Sequence, residues 1–354
     1  MSTLILPVAG QSSRFQGMRP KWLLTMPDGK LMYEKSVEYL SLKKYDRVIV
    51  TCLKEHINKY VSMEKIYESA KKNITKNIEF CVLNKATSSH AATVSKTIEK
   101  MNIDGSFYLK DCDNIFSTKY TTDNSIAVVS LNDVDIVDAK NKSYVEVDPL
   151  GTVENIVEKK VISTLFCCGG YSFVDAKDFV SNFKKVKKKS GHKEIYISHI
   201  IFNMLLDGKS FITHEASKYI DWGTERDYKD YCKKFLTIFC DVDGVLLENG
   251  SKFGPKGWET KCIKKNVEFF ANLQNEGKLY FIVTTSRPKS EVPYIKEQLK
   301  KLGLDVDRFI TDLPHSKRVL VNDFSKSNPY PSAISINIER DSEELSSYLK
   351  SFST

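Results

Sequence analysis

The 354-residue sequence predicts an α/β protein of two domains, on three observations. Short apolar runs alternate with helical patterns from the N-terminus to about residue 233, as in a sheet layered with helices. A new buried-strand pattern starts at Leu236 and is followed by helix and strand patterns of its own. The length also suits two domains better than one. The expected boundaries are 1–233 and 234–354.

Bulk composition narrows the class. The net charge of +8 is compatible with anionic substrates, and the apolar fraction of 41% suffices for two cores. No basic stripe interleaved with aromatics argues for nucleic acid. The N-terminus lacks a secretory signal's pattern, and no run reaches the roughly 18 apolar residues of a membrane span. Eight cysteines occur without a CxxC pair, and Cys52, Cys81 and Cys240 sit inside apolar runs. They read as buried thiols in a reducing cytoplasm. Cys167 and Cys168 stand too isolated to argue for zinc.

In the first domain, an apolar run predicts a buried parallel strand over 3–8. It stops at Ala9 and Gly10, and Gln11, Ser12 and Ser13 follow. These residues let the backbone approach a ligand and present N–H groups to it. Two cations, Arg14 and Lys21, come next. Together they make a site for a polyanion, most simply a triphosphate. Neither GxxxxGK[ST] nor GxGxxG occurs. Helical patterns near 31–43 and 55–73 frame a strand at 47–53, and another strand covers 78–83. Thr87, Ser88 and Ser89 open a helix pattern over 88–101, where they either cap the helix or touch a ligand. The strand at 106–110 ends in Asp111 and Asp113, at the carboxyl edge where open sheets bind ligands. Asp113 is favoured as a cation ligand, because Asp111 can be the last strand residue. A strand at 126–131, a polar insertion at 132–150 and a segment at 153–162 containing Glu158 and Lys159 follow. Charged strand tips are also a common guard against edge pairing. Gly169 and Gly170 in the strand at 166–173 would let a ligand come close. The lysine-rich stretch 183–193 reads as a solvated helix end, and an amphipathic helix starts at 194–198.

Ala9, Gly10, Ser13, Arg14 and Phe15, then Pro20, Lys21 and Leu23, resemble the A-G-x-x-[ST]-R-[FM]…P-K-x-L signature of the nucleotidyltransferases that make nucleotide-sugars. Asp221, Gly223, Thr224 and Asp227 resemble that family's closing W-x-D-x-G-T-x-x-D, although Trp222 here follows the aspartate. The resemblance implies that residues 9–13 hold the NTP phosphates while Arg14 and Lys21 neutralise them. It implies that Thr87, Ser88 and Ser89 touch base and ribose, although Ala86 replaces the usual glycine. Asp111 or Asp113, with Asp221, would clamp Mg²⁺. Glu158 would bind acceptor hydroxyls, Lys159 the acceptor phosphate, and Gly170 would admit the acceptor ring. The first domain has the size of the small cytidylyltransferases and no hexapeptide repeat follows it. CTP is therefore the favoured nucleotide, with UTP, dTTP and GTP left open.

The second domain opens on a strand ending in Asp241, Asp243 and Gly244. Two carboxylates at a strand's end make a magnesium site with a nucleophile. The stretch resembles motif I (D-x-D-G-[TV]) of the haloacid-dehalogenase-like (HAD) phosphatases. That resemblance implies Asp241 as nucleophile and Asp243 as acid/base. It also implies Thr285 (with Thr284 as the alternative) as the phosphate-holding hydroxyl and Lys317 as the cation. Asp323, at the end of a strand over 319–323, would complete the magnesium site, with Asn322 where a second acid is common. One helix near 259–276 leaves no room for a large cap, and a terminal helix is expected over 342–354.

The expectation is thus two Rossmann-like domains, a nucleotidyltransferase sheet followed by a capless HAD-like domain. The pair would be a cytoplasmic bifunctional enzyme with Mg²⁺ as cofactor. It would join an NTP to a sugar- or polyol-phosphate and cleave a phosphate from a related metabolite, in supply of a bacterial capsule or other surface polysaccharide. Assembly as a homo-oligomer stays open. So do two narrower readings, a phosphatase with a merely nucleotide-binding first domain and a transferase with a retired second one.

Overall fold

A computed structural model of the chain describes residues 2–12, 15, 17–134, 138–190, 194–255, 257–322 and 333–350. The chain forms two compact units, Met1–Tyr228 and Lys229–Thr354. In the first unit the order begins β1 (Thr3–Pro7), α1 (Met32–Ser36), β2 (Arg47–Leu53), α2 (Lys54–Tyr60), α3 (Met63–Asn73), β3 (Ile78–Leu83) and α4 (His90–Lys100). It continues β4 (Phe107–Lys110), β5 (Asn114–Ser117), β6 (Ser125–Ser130), β7 (Ser143–Val147), β8 (Val153–Glu158) and β9 (Leu165–Phe173). α5 (Ala176–Ser190), α6 (Ile197–Leu206), β10 (Ile212–Glu215) and β11 (Ser217–Asp221) complete it, and α7 (Glu225–Lys233) crosses the boundary.

The main sheet runs β10-β6-β9-β4-β1-β2-β3, with β7 on β9 and β8 on β7. β1 lies at its centre and pairs in parallel with both β2 and β4. The chain therefore walks outward to β3, then returns to β4 on the other side of β1. That reversal puts the carboxyl ends of β1 and β4 at a topological switch point. β1 reads as an unbroken apolar run because both its faces are covered. Ile5 joins a core with Val94, Phe107, Phe179 and Ile200, while Leu4 and Leu6 join another with Tyr33, Ile57 and Ile66.

Most expected elements are present, with instructive shifts. The helix pattern over 55–73 is two helices, broken where Val61 is extended (φ −147°, ψ 165°). The one expected over 31–43 is only the short α1 followed by a 3-10 turn at Leu42–Lys44. The four-residue strands β5 and β10 carry no pattern long enough to be seen in sequence.

The second unit holds β12 (Leu236–Asp241), α8 (Lys264–Asn275), β13 (Leu279–Thr284), α9 (Val292–Lys300), β14 (Arg308–Ile310) and α10 (Leu345–Lys350). Its strands are parallel in the order β12-β13-β14, over a core that includes Val242, Phe270, Phe281, Val283, Ile295 and Leu299. The strand expected over 319–323 is corrected. Residues 319–321 belong to no strand, and Val319, Leu320 and Val321 are 77%, 56% and 90% exposed. An apolar triplet without a neighbouring edge to pair with does not make a strand. Among the described residues no helix is long and apolar enough to cross a membrane.

Candidate active site of the first unit

The loop after β1 leaves the sheet at the switch point. Ala9 is buried, Gly10 and Gln11 are exposed, and Ser12 takes a left-handed backbone (φ 52°). The Ser12 hydroxyl accepts the Lys21 backbone N–H at 3.0 Å, folding the loop back on itself. Trp22 and Leu23 are buried beside Lys21 and anchor it. Ser13 and Arg14 lie outside the described residues.

Lys21 reaches across 92 positions of sequence to the Asp113 carboxylate at 2.5 Å. Asp113 follows β4, and Asp221 ends β11. The two meet because β11 pairs antiparallel with β5, setting Asp221 opposite Asn114, and because the Trp222 N–H donates to the Asp113 carbonyl at 2.7 Å. Gly223 donates its N–H to Asp221 Oδ1 at 2.8 Å. A Cβ on Gly223 would lie 3.0 Å from Asp221 Oδ1 and 3.7 Å from Asp113 Oδ2. Glycine thus keeps open a space that both carboxylates border. Burial pushes the Asp113 carboxyl up, but the Lys21 ammonium, joined by Lys142 and Lys110, outweighs it and holds the group well below the usual carboxylate range.

Asp111 is placed differently. Its neighbour is His90, at 3.4 Å, at the start of α4, and burial raises its carboxyl. Between β4 and this loop sits a residue that sequence reasoning missed. Lys110 has no solvent exposure, and its ammonium donates to the Asn114 carbonyl at 2.9 Å and Asn114 Oδ1 at 2.6 Å. The other missed cation is Lys142, whose ammonium bonds the Asp221 carboxylate. Among the described residues no three His, Cys, Asp or Glu side chains converge on one metal position.

The remaining expected contacts are distributed around this centre. Ser89 caps α4, accepting the Ala92 N–H at 3.2 Å, and Thr87 bonds the Thr93 hydroxyl at 2.5 Å. Ser88 is exposed. The helix-capping alternative therefore describes Ser89. Glu158 accepts from the Ser143 and Ser198 hydroxyls. Lys159 has a left-handed backbone (φ 56°) and donates to the Tyr196 hydroxyl at 2.6 Å. Gly170 faces inward, where a Cβ would meet Tyr108, Phe116 and Ala127. It is Gly169 (φ 86°) that borders the carboxylate loop, with Asp111 Oδ2 2.7 Å from a notional Cβ. The residue that stands against the loop is thus the first glycine of the pair, because a register shift in the β6–β9 ladder and the positive φ turn it that way.

In the second unit, Asp241 ends β12 opposite Thr284 of β13. Arg318, one residue beyond the expected Lys317, lies 2.9 Å from Asp241. Lys317 itself is exposed. Asp243 is held by Arg287, which is fully buried and donates at 2.7 Å and 3.1 Å to its two oxygens. Thr285 is also buried, and its hydroxyl accepts the Arg287 N–H at 3.0 Å. Asp323 lies outside the described residues. A cleft of about 490 Å³ elsewhere in this unit is lined by Lys289, Val292, Pro293, Phe309 and Thr311, none of them an expected site residue.

No family model matches the sequence. No curated protein matches it either. Solved structures do match. The nucleoside-diphosphate-sugar pyrophosphorylase of Vibrio cholerae RC9 aligns at TM-score 0.56 and 20% identity, covering 65% of this chain and 99% of that one. The inositol-1-phosphate CTP transferase of T. maritima aligns at 0.51 and 14% identity, over 64% and 93%. The CTP:phosphocholine cytidylyltransferase of Streptococcus pneumoniae aligns at 0.50 and 15% identity, over 64% and 96%. Over about two thirds of its length, a share close to the size of the first unit, the chain has the fold of the sugar-phosphate nucleotidyltransferases.

Proposed function

We propose that the first unit transfers a nucleotidyl group from an NTP, with CTP favoured, to the phosphate of a sugar or polyol, releasing pyrophosphate. The observation that carries this reading is the convergence of Lys21, Asp113 and Asp221, from three distant stretches, on the space beside Gly223. The shared fold supports it, and two of the similar structures are CTP transferases. The donor set fits Mg²⁺, which takes one or two carboxylates and completes its shell with water and phosphate oxygens. Asp113 and Asp221 would hold the ion, which when bound screens the triphosphate and the leaving pyrophosphate. Lys21 would exchange Asp113 for NTP phosphate oxygens. The backbone of residues 9–12 would line the phosphates, and Ser12 fixes that loop to Lys21. No side chain here needs to form a covalent intermediate; positioning and charge screening carry the rate.

The test is to incubate the protein with Mg²⁺, each common NTP and a panel of sugar and polyol phosphates, following pyrophosphate. Release that depends on one NTP and one acceptor supports the reading and fixes both substrates. Absence of release, together with absence of NTP binding, overturns it.

For the second unit the proposal is a magnesium-dependent phosphatase of the HAD type, with Asp241 as nucleophile and Asp243 as acid/base. It is supported by the placement of both carboxylates at the carboxyl end of a parallel strand, beside Thr284 and Arg318. Phosphate release from the same acceptor panel that survives Asp241→Asn unchanged would end that proposal.

A further inference from the structure

Lys142 belongs to neither expected motif. It immediately precedes β7, and its ammonium bonds the Asp221 carboxylate and, at 2.9 Å, the Tyr219 hydroxyl. It also lies 5.9 Å from the Phe166 ring centre and 5.6 Å from that of Tyr219. Its side chain is 19% exposed, so a long flexible cation is confined in the site. Two lysines thus stand on two carboxylates, Lys21 on Asp113 and Lys142 on Asp221. Asp113 and Asp221, if they held a divalent cation, would no longer serve as counter-ions to the two ammoniums, which would need new anions. The substrates of the proposed reaction supply them as phosphates.

Position separates the two lysines. Lys21 comes from the loop after β1. Lys142 comes from the β7–β8 hairpin, at the end that carries Glu158 and Lys159: Ser143 stands opposite Glu158, and the Lys159 N–H donates to the Lys142 carbonyl at 3.0 Å. The Lys159 ammonium is meanwhile engaged with Tyr196, at 2.6 Å from its hydroxyl and 4.4 Å from its ring centre. We propose that Lys142 receives the acceptor's phosphate, and that it rests on Asp221 until a divalent cation displaces it. This rests on the nucleotidyl-transfer reading of the same site.

The test uses the 354-residue chain carrying Asp241→Asn, so that the second unit's carboxylate pair does not report. Two titrations are made. Mn²⁺ alone is followed by electron paramagnetic resonance. Inorganic phosphate is followed by calorimetry in the presence of Mn²⁺ and the α,β-methylene analogue of each common NTP. Adding Lys142→Met should tighten Mn²⁺ binding about 10-fold, because Asp221 is vacated, and weaken phosphate binding about 10- to 100-fold. Lys142→Arg should keep phosphate binding, and Lys159→Met should change neither titration. A lysine that only props the fold would weaken both when removed. If Lys142→Met binds phosphate as its parent does, or Mn²⁺ no more tightly, the proposal is wrong. A parent that binds the nucleotide analogue but no phosphate has the same consequence. In these cases nucleotide binding leaves the transfer reading standing. A parent that binds neither Mn²⁺ nor any analogue overturns both.

Discussion

Lys110→Met tests how the carboxylate loop keeps its shape. Lys110 closes β4 with no solvent exposure, and its ammonium donates to the Asp111 carbonyl at 2.5 Å, the Asn114 carbonyl at 2.9 Å and Asn114 Oδ1 at 2.6 Å. The Phe116 ring centre lies 4.4 Å away. Burial drives the ammonium's pKa down, against the pull of Cys112 and Asp111. Methionine fills the space of the stem and offers no donor, so two buried acceptors on Asn114 and a half-buried one on Asp111 lose this donor. Each such acceptor costs about 1–3 kcal/mol, while removal of a buried charge returns part of its desolvation cost. The expected net loss is about 2–5 kcal/mol, a large share of the roughly 5–15 kcal/mol that holds a typical domain. Urea unfolding reads it through Trp22 and Trp222, in a Trp258→Phe background that silences the second unit's tryptophan. The loosening should also show locally. Amide exchange should speed up at Asp111, which donates to Gly169, and at Trp222, which donates to Asp113. A wild-type urea midpoint with unchanged exchange at both amides would refute the reasoning.

Three further outcomes follow from the same geometry. Gly169→Ala forces a side chain into a left-handed position and against Asp111, whereas Gly170→Ala collides with Tyr108 and Phe116 in the core. Both should lower stability by about 1–3 kcal/mol in thermal melts, but only Gly169→Ala should lose pyrophosphate release beyond its unfolding; equal losses would contradict the assigned faces. In Lys21→Met the main offset to the burial of Asp113 is gone and only the more distant Lys142 and Lys110 remain, so its carboxyl should rise. In the wild type this depressed acid adds stability above its unfolded value of about 4, lost as pH falls through the folded value; the variant's melting deficit should therefore be largest near pH 7 and shrink below about pH 4, and a pH-independent deficit would count against the pair. Six of the eight cysteines are buried, and burial pushes Cys52, Cys112 and Cys168 up to about 12. Ellman's reagent at pH 8 should find none of the six buried thiols fast in the native protein, and a fast one among them would contradict the packing.

What the sequence reveals about this site depends on whether the signal is local. β1 and its loop are legible because a strand covered on both faces is a continuous apolar run, and small residues must follow it where a backbone approaches a ligand. Asp113 and Asp221 are legible one at a time, each at the end of a strand-like stretch. Their meeting is implied by the family resemblance but by no local pattern, since it depends on the short β5–β11 pairing. Lys110 leaves one trace, a charge closing a strand of otherwise buried residues, and that charge reads equally well as an ordinary strand tip. Lys142 leaves none, because it lies in a polar insertion and meets Asp221 across 79 positions. The choice between Gly169 and Gly170, and between Lys317 and Arg318, turns on a single residue of register, which periodicity does not resolve. The Val319–Val321 run fails for the opposite reason: its local pattern is that of a strand, but a strand exists only where an edge accepts it. Residues that hold charge at this site thus come from pairings that no window of sequence contains. Both missed lysines therefore emerge only with the fold, and Lys142 is the one whose removal separates a ligand-binding role from a structural one.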